Sequence, residues 1–174
     1  MLRQLVSTSL LFLVIYSIDS HAQQSHCAPS EKVIFSCKIK HSAKTVSLCA
    51  TPDWHVGDKV TGLVYVFGRI GQPELRFPDQ QLNSLEKFRL SHYLRLGLEA
   101  TTITFNKGGF EYSVYETVEE HAISKGVTVD AANKSSIALE CAAPTAKSNW
   151  SAIYGEVPCE ENNGIPNSCE YHPK

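Results

Sequence analysis

The segment TTITF-NKGG-FEYSVYET, residues 101–117, alternates in character on both sides of a turn that only permissive residues can make. In an extended chain Phe110, Tyr112 and Val114 share one face, and Glu111, Ser113 and Tyr115 share the other. Asn106-Lys107-Gly108-Gly109 joins the two halves, and asparagine and glycine tolerate the positive φ angles of tight hairpin turns. The stretch therefore predicts an antiparallel hairpin of strands 101–105 and 110–117.

The same period of two runs outward in both directions. Val33, Phe35, Cys37 and Ile39 alternate with polar or mixed neighbours, and a turn near Ala43 leads into a strand over residues 45–50. Residues 63–67, LVYVF, form the continuous β-branched and aromatic run expected of a buried strand. Ile70-Gly71-Gln72-Pro73 is turn chemistry, with a returning strand over residues 74–77. Residues 127–130 and 136–141 predict a further pair across 131–135.

Residues 79–98 read two ways. Leu82, Leu85 and Phe88 have helical spacing, so one or two helical turns are expected after Asp79. From Phe88 onward Leu90, Leu94, Leu96 and Leu98 continue an alternating apolar series, which predicts one strand with a buried face. His92 falls within that series and is expected to be a hydrogen-bonded interior histidine. No internal repeat or interdomain linker interrupts the chain. About eight strands at short spacing predict an all-β fold, one antiparallel sandwich or barrel, with an irregular segment from about Pro144.

The N-terminus predicts export. Arg3 precedes an apolar run over residues 5–18, and Ser20-His21-Ala22 is a small-x-small cleavage pattern, so residues 1–22 read as a signal peptide. The mature chain, residues 23–174, is expected to be a single domain without a membrane anchor, in the periplasm or secreted. Arg3 and Asp19 leave together, so the net charge of −2 is unchanged. That balance disfavours nucleic acid or an anionic membrane surface as a partner, because both require a basic footprint.

Cys27, Cys37, Cys49, Cys141, Cys159 and Cys169 are even in number and follow an export signal, which predicts three disulfides. Cys37 and Cys49 flank the first hairpin and are expected opposite each other. That register, however, puts Val33, Phe35 and Ile39 on the cysteine face and Ile34, Val46 and Leu48 on the other. A link from Cys141 to Cys159 or Cys169 would pin the C-terminal segment to the body.

No reactive centre is legible. A nucleophile elbow, a zinc-protease helix motif and a phosphate-binding glycine loop are absent from the sequence. His26, His41, His55, His92, His121 and His172 are scattered, and Cys169-x-x-His172 has no partner pair with metal-ligand spacing. Glu119-Glu120 and Glu160-Glu161 point apart on extended backbone and read as solvated surface. The expectation is a protein without catalysis, metal or cofactor. Asn133-Lys134-Ser135 and Asn149-Trp150-Ser151 match the glycosylation sequon.

What remains is loops on a stiff scaffold. Asn106, Lys107, Gly108 and Gly109, with Tyr112 nearby, form the first candidate for entering a partner's cleft. Arg69, Ile70, Gly71 and Gln72 form the second, and a loop at Trp54, His55, Gly57 and Asp58 a third.

Three stretches, EKVIFSCKIKHSAKTVSLCA (31–50), YVFGRIGQPELRFP (65–78) and NKGGFEYSVYE (106–116), together resemble a group of small exported bacterial all-β proteins. Size, export and strand pattern are similar to the periplasmic lysozyme inhibitors of the membrane-bound and C-type-specific family. Those carry a Ser-Gly-x-x-Tyr motif on a hairpin that enters the lysozyme cleft. Here Gly109-Phe110-Glu111-Tyr112 keeps Gly-x-x-Tyr, with Gly108 in the place of the serine. The layout is also similar to periplasmic immunity proteins that neutralise peptidoglycan amidases delivered by type VI secretion. The resemblance implies an inhibitor that occludes the active-site cleft of a cell-wall-degrading amidase or muramidase. The alternative is an envelope glycan or small-ligand binding module, with Trp54, Trp150 and Tyr154 as its aromatic platform.

Overall fold

A computed structural model describes residues 25–53, 59–143 and 146–160. The expected signal peptide, the Trp54 loop, Cys169 and His172 lie outside these residues. The strands are β1 (Lys32–Lys38), β2 (Thr45–Asp53), β3 (Lys59–Arg69), β4 (Gln72–Phe77), β5 (Arg89–Arg95), β6 (Leu98–Lys107), β7 (Phe110–Glu119), β8 (Ala122–Ala131), β9 (Ile137–Glu140) and β10 (Lys147–Ser148). Short 3₁₀ turns occur at Leu85–Lys87 and Trp150–Ala152. Among the described residues, no helix is long and apolar enough to cross a membrane.

The fold is all-β: two five-stranded antiparallel sheets, ordered β10-β1-β2-β3-β4 and β5-β6-β7-β8-β9. Each is a meander of sequence neighbours, except that β10 returns to the outer edge of β1. The inner faces meet as in a sandwich. Phe35, Leu48, Tyr65 and Phe77 are aligned by register across the first sheet, while Leu90, Ile103, Val114 and Val127 line the second. Phe77 stacks on Phe105 at 4.5 Å and meets Phe88 edge-on at 5.4 Å, so aromatic packing joins the sheets.

The connection between the sheets is fastened to β3. Ser84 is buried; its hydroxyl accepts the Leu63 N–H at 2.7 Å and lies 2.5 Å from the Leu63 carbonyl. Gly62 faces the Gln81 carbonyl so closely that a Cβ there would overlap it. The helical spacing at 82–88 therefore yields only a single 3₁₀ turn, because the chain here follows a strand.

The cysteine pairing differs from expectation. Cys27 bonds Cys49 and Cys37 bonds Cys141, so Cys37 and Cys49 are not partners. The cause is a bulge in β1: Val33 pairs with Cys49, but Phe35 already pairs with Leu48, so Ile34 is the extra residue. The bulge reverses the parity of the strand. Ile34, Phe35, Cys37 and Ile39 all join the main core, while Val33 and Cys49 join a small outer cluster with Cys27, Val64 and Val66. Cys37 and Cys49 thus face opposite sides of the sheet. Cys159 is also disulfide-bonded. Bridges of this kind belong to an oxidising compartment.

Residues 88–98 are not one strand. Gly97 takes φ 77° and Arg95 pairs with Leu98, so Leu96 and Gly97 are the turn of a β5–β6 hairpin. Phe88, Leu90 and His92 are buried, but Leu94 is 48% and Leu96 98% exposed. The apolar series continues past the edge of the core that it helps to build.

Candidate functional site

The β6–β7 hairpin pairs without interruption from Leu98↔Glu119 to Lys107↔Phe110. Its turn is only Gly108-Gly109, with φ 63° and 79°, so Asn106 and Lys107 are the last residues of a strand. A Cβ at either glycine would meet nothing within 4 Å. The tip stands in open space.

Lys107 and Tyr112 root this tip. The Lys107 ammonium donates to the Arg76 carbonyl at 2.6 Å and lies 3.8 Å from an Asp79 carboxylate oxygen. Tyr112 stacks on Phe105 at 4.9 Å and approaches Tyr65 at 6.1 Å. Burial pushes the Tyr65 hydroxyl far above the usual phenol range, with Tyr112 adding to the shift. Of the five residues expected on this loop, Asn106, Gly108 and Gly109 are exposed, whereas Lys107 and Tyr112 are half-buried.

Arg69, Ile70, Gly71 and Gln72 form the exposed β3–β4 turn, with Gly71 at φ 79°. Lys107 reaches the opposite end of β4, and Gln72 to Arg76 spans roughly 13 Å of strand. Among the described residues, no hydrogen bond or ion pair joins the two turns. The neighbour of the Gly108 tip is instead the β8–β9 turn. Phe110 pairs with Ala131, and the Lys134 ammonium lies 5.6 Å from the centre of the Phe110 ring. Only the β7–β8 register shows that proximity, so the sequence reading missed it.

A second constellation also escaped that reading. His92 pairs with Thr101, Thr101 with Glu116, and Glu116 with Lys125, a polar row across the inner face of the second sheet. The β10–Trp150 segment covers it. Trp150 Nε1 donates to Glu116 Oε2 at 2.8 Å, and Lys125 Nζ lies 3.0 Å from both Glu116 Oε1 and Ser148 Oγ. Tyr154 packs on His92 at 4.6 Å, its hydroxyl 3.1 Å from Thr101 Oγ1. Burial alone would raise the Glu116 pKa. Hydrogen bonds from Ser148, Trp150 and Lys125, with the Lys125 charge, instead hold it below the usual carboxylate range. His92 Nε2 lies 3.2 Å from Glu99 Oε1, the interior histidine the sequence predicts.

Trp150 is 7% exposed and Tyr154 is packed against His92, so neither offers an open aromatic platform. Cys27, Glu31 and Cys49 place possible ligand atoms close together, but the two cysteines are joined and offer no thiolate. A surface groove of about 530 Å³ is lined by Leu85, Glu86 and residues 155–159, and includes the ion pair of Lys59 and Glu156 (3.5 Å).

No family model, curated protein or solved structure matches this chain.

Proposed function

We propose that this protein is a periplasmic inhibitor, of the immunity or lysozyme-inhibitor type, that blocks the active-site cleft of a peptidoglycan-degrading hydrolase. One observation carries the reading: a two-glycine tip, with room for a side chain at either glycine, at the apex of two fully paired ten-residue strands. Lys107 and Tyr112 brace its root, so little conformational freedom is lost when the tip enters a cleft. Asn106, Gly108 and Gly109 supply backbone and amide contacts. The Asn133-Lys134 turn beside them supplies a cation to meet the acidic residues of a glycosidase or amidase site. Arg69, Ile70, Gly71 and Gln72 are a separate surface for the same partner.

The test is inhibition of sacculus lysis across a panel of muramidases and amidases, with wild type and a Gly108→Asp/Gly109→Asn variant. Asp and Asn tolerate positive φ but fill the open space at the tip. Wild-type inhibition of at least one enzyme at near-equimolar ratio, lost in the folded variant, supports the reading. Equal inhibition by the variant, or none by wild type, removes it.

A further inference from the structure

The outer face of the second sheet has an uncharged centre. Strand parity turns Ser91 and Tyr93 of β5 outward, together with alternate residues of β6, β7 and β8. Over residues 91–93, 100–104, 113–117 and 124–128, the outward positions hold serine, threonine, tyrosine, alanine or glycine, while Arg89 beside Thr104 and Glu140 beside Gly126 carry charge at the two edges of this patch. The charges of those stretches, Glu116 and Lys125, point inward to the polar row. A solvated sheet face usually carries lysine and glutamate; this one carries hydroxyls.

Two tyrosines punctuate the face, each beside a small residue. Tyr115 pairs with Gly126, and a Cβ at Gly126 would come within 2.9 Å of the Tyr115 hydroxyl and 3.1 Å of its ring. The glycine therefore lets the ring lie down across the neighbouring strand instead of standing upright. Tyr93 pairs with Ala100, the other small residue of the face. Ladder spacings put the two tyrosine Cα atoms roughly 12 Å apart, two strands across and one residue pair along. The hydroxyls of Thr102 and Thr117 lie between them.

We infer that this face binds a neutral polysaccharide chain. Sugar rings present C–H faces that stack on aromatic rings and hydroxyls that exchange hydrogen bonds with serine and threonine. The uncharged centre complements an uncharged chain, whereas polyphosphates and anionic lipids need a row of basic residues where this patch has hydroxyls. The regular strand spacing suits an extended polymer better than a compact solute, which needs a concave pocket. The surface is distinct from the Gly108 tip and independent of the inhibitor reading. It also replaces the expected Trp150 and Tyr154 platform with one on the opposite side of the sheet.

The experiment measures binding of the purified protein to chitohexaose by titration calorimetry and to peptidoglycan sacculi by co-sedimentation. Tyr93→Ser/Tyr115→Ser is expected to weaken binding by about tenfold or more, the scale of lost aromatic stacking. Thr102→Glu, a change at a half-buried position of the outer face that leaves the tyrosines in place, is expected to weaken it as well and serves if the double variant misfolds. Gly108→Asp/Gly109→Asn is expected to bind as wild type does, which separates this surface from the inhibitory tip. Binding of chitohexaose supports the inference; binding of sacculi alone, whose peptide stems carry carboxylates, overturns a neutral glycan as the ligand. No binding to either probe overturns the inference, as does undiminished binding by folded tyrosine and Thr102→Glu variants.

Discussion

Trp150 and Glu116 are joined across the open end of the sandwich by an indole-to-carboxylate hydrogen bond of 2.8 Å. The bond ties the C-terminal 3₁₀ turn to β7, and the same carboxylate holds Lys125, which in turn reaches Ser148. Replacing Glu116 by glutamine leaves Lys125 half-buried without its counter-charge. The expected loss is about 2 kcal/mol in denaturant unfolding.

The same carboxylate gives stability a pH dependence of known sign. Because its folded pKa is depressed, its contribution is fully present above the ordinary carboxylate range and is lost as pH falls through the folded value. Melting temperature measured downward from neutral pH should therefore fall in acid, and Glu116→Gln should flatten that fall. An identical acid profile in the variant would show that other groups govern acid unfolding.

The Cys27–Cys49 and Cys37–Cys141 bridges should contribute unequally. Cys37–Cys141 closes 104 residues and Cys27–Cys49 only 22. On loop-closure entropy, Cys37→Ser/Cys141→Ser is expected to cost about 4–5 kcal/mol and Cys27→Ser/Cys49→Ser about 3 kcal/mol. Thermal melts of the paired variants rank the bridges directly.

Gly126→Ala is a test of local packing. The added methyl would meet the Leu139 carbonyl and the Tyr115 ring, and is expected to destabilise by about 1–3 kcal/mol. Tyrosine fluorescence should change with it, since the ring must lift. Leu96→Ser, by contrast, alters a fully solvated turn residue and should leave the melting temperature within error.

The contrast between Leu90 and Leu96 shows what the sequence could reveal. Alternation identifies strands because it records burial on one face, and it located β1, β2, β6, β7 and the β8–β9 pair, while β3 was legible from its continuous apolar run over residues 63–67. It cannot tell where a sheet outgrows its partner, so an apolar series ran through the Leu96-Gly97 turn unnoticed. Bulges are equally silent: one extra residue at Ile34 reversed the faces of Cys37 and Cys49 and with them the disulfides. The glycine tip was legible, since two consecutive positive φ angles demand its composition. The inward row of His92, Thr101, Glu116 and Lys125 was not, because each member comes from a different strand and only the register aligns them.

β10, two residues long, is the only described strand that guards the free edge of β1. A nascent chain that has not yet delivered Lys147, Ser148 and Asn149 carries bare amide and carbonyl groups around Ile34–Ser36, although Ala142 already bonds the Lys38 carbonyl. Unpaired edges of that sort recruit one another. Fragments ending before residue 147 should therefore self-associate, and the last stretch of the polypeptide acts as a stopper against fibre growth as much as a piece of architecture.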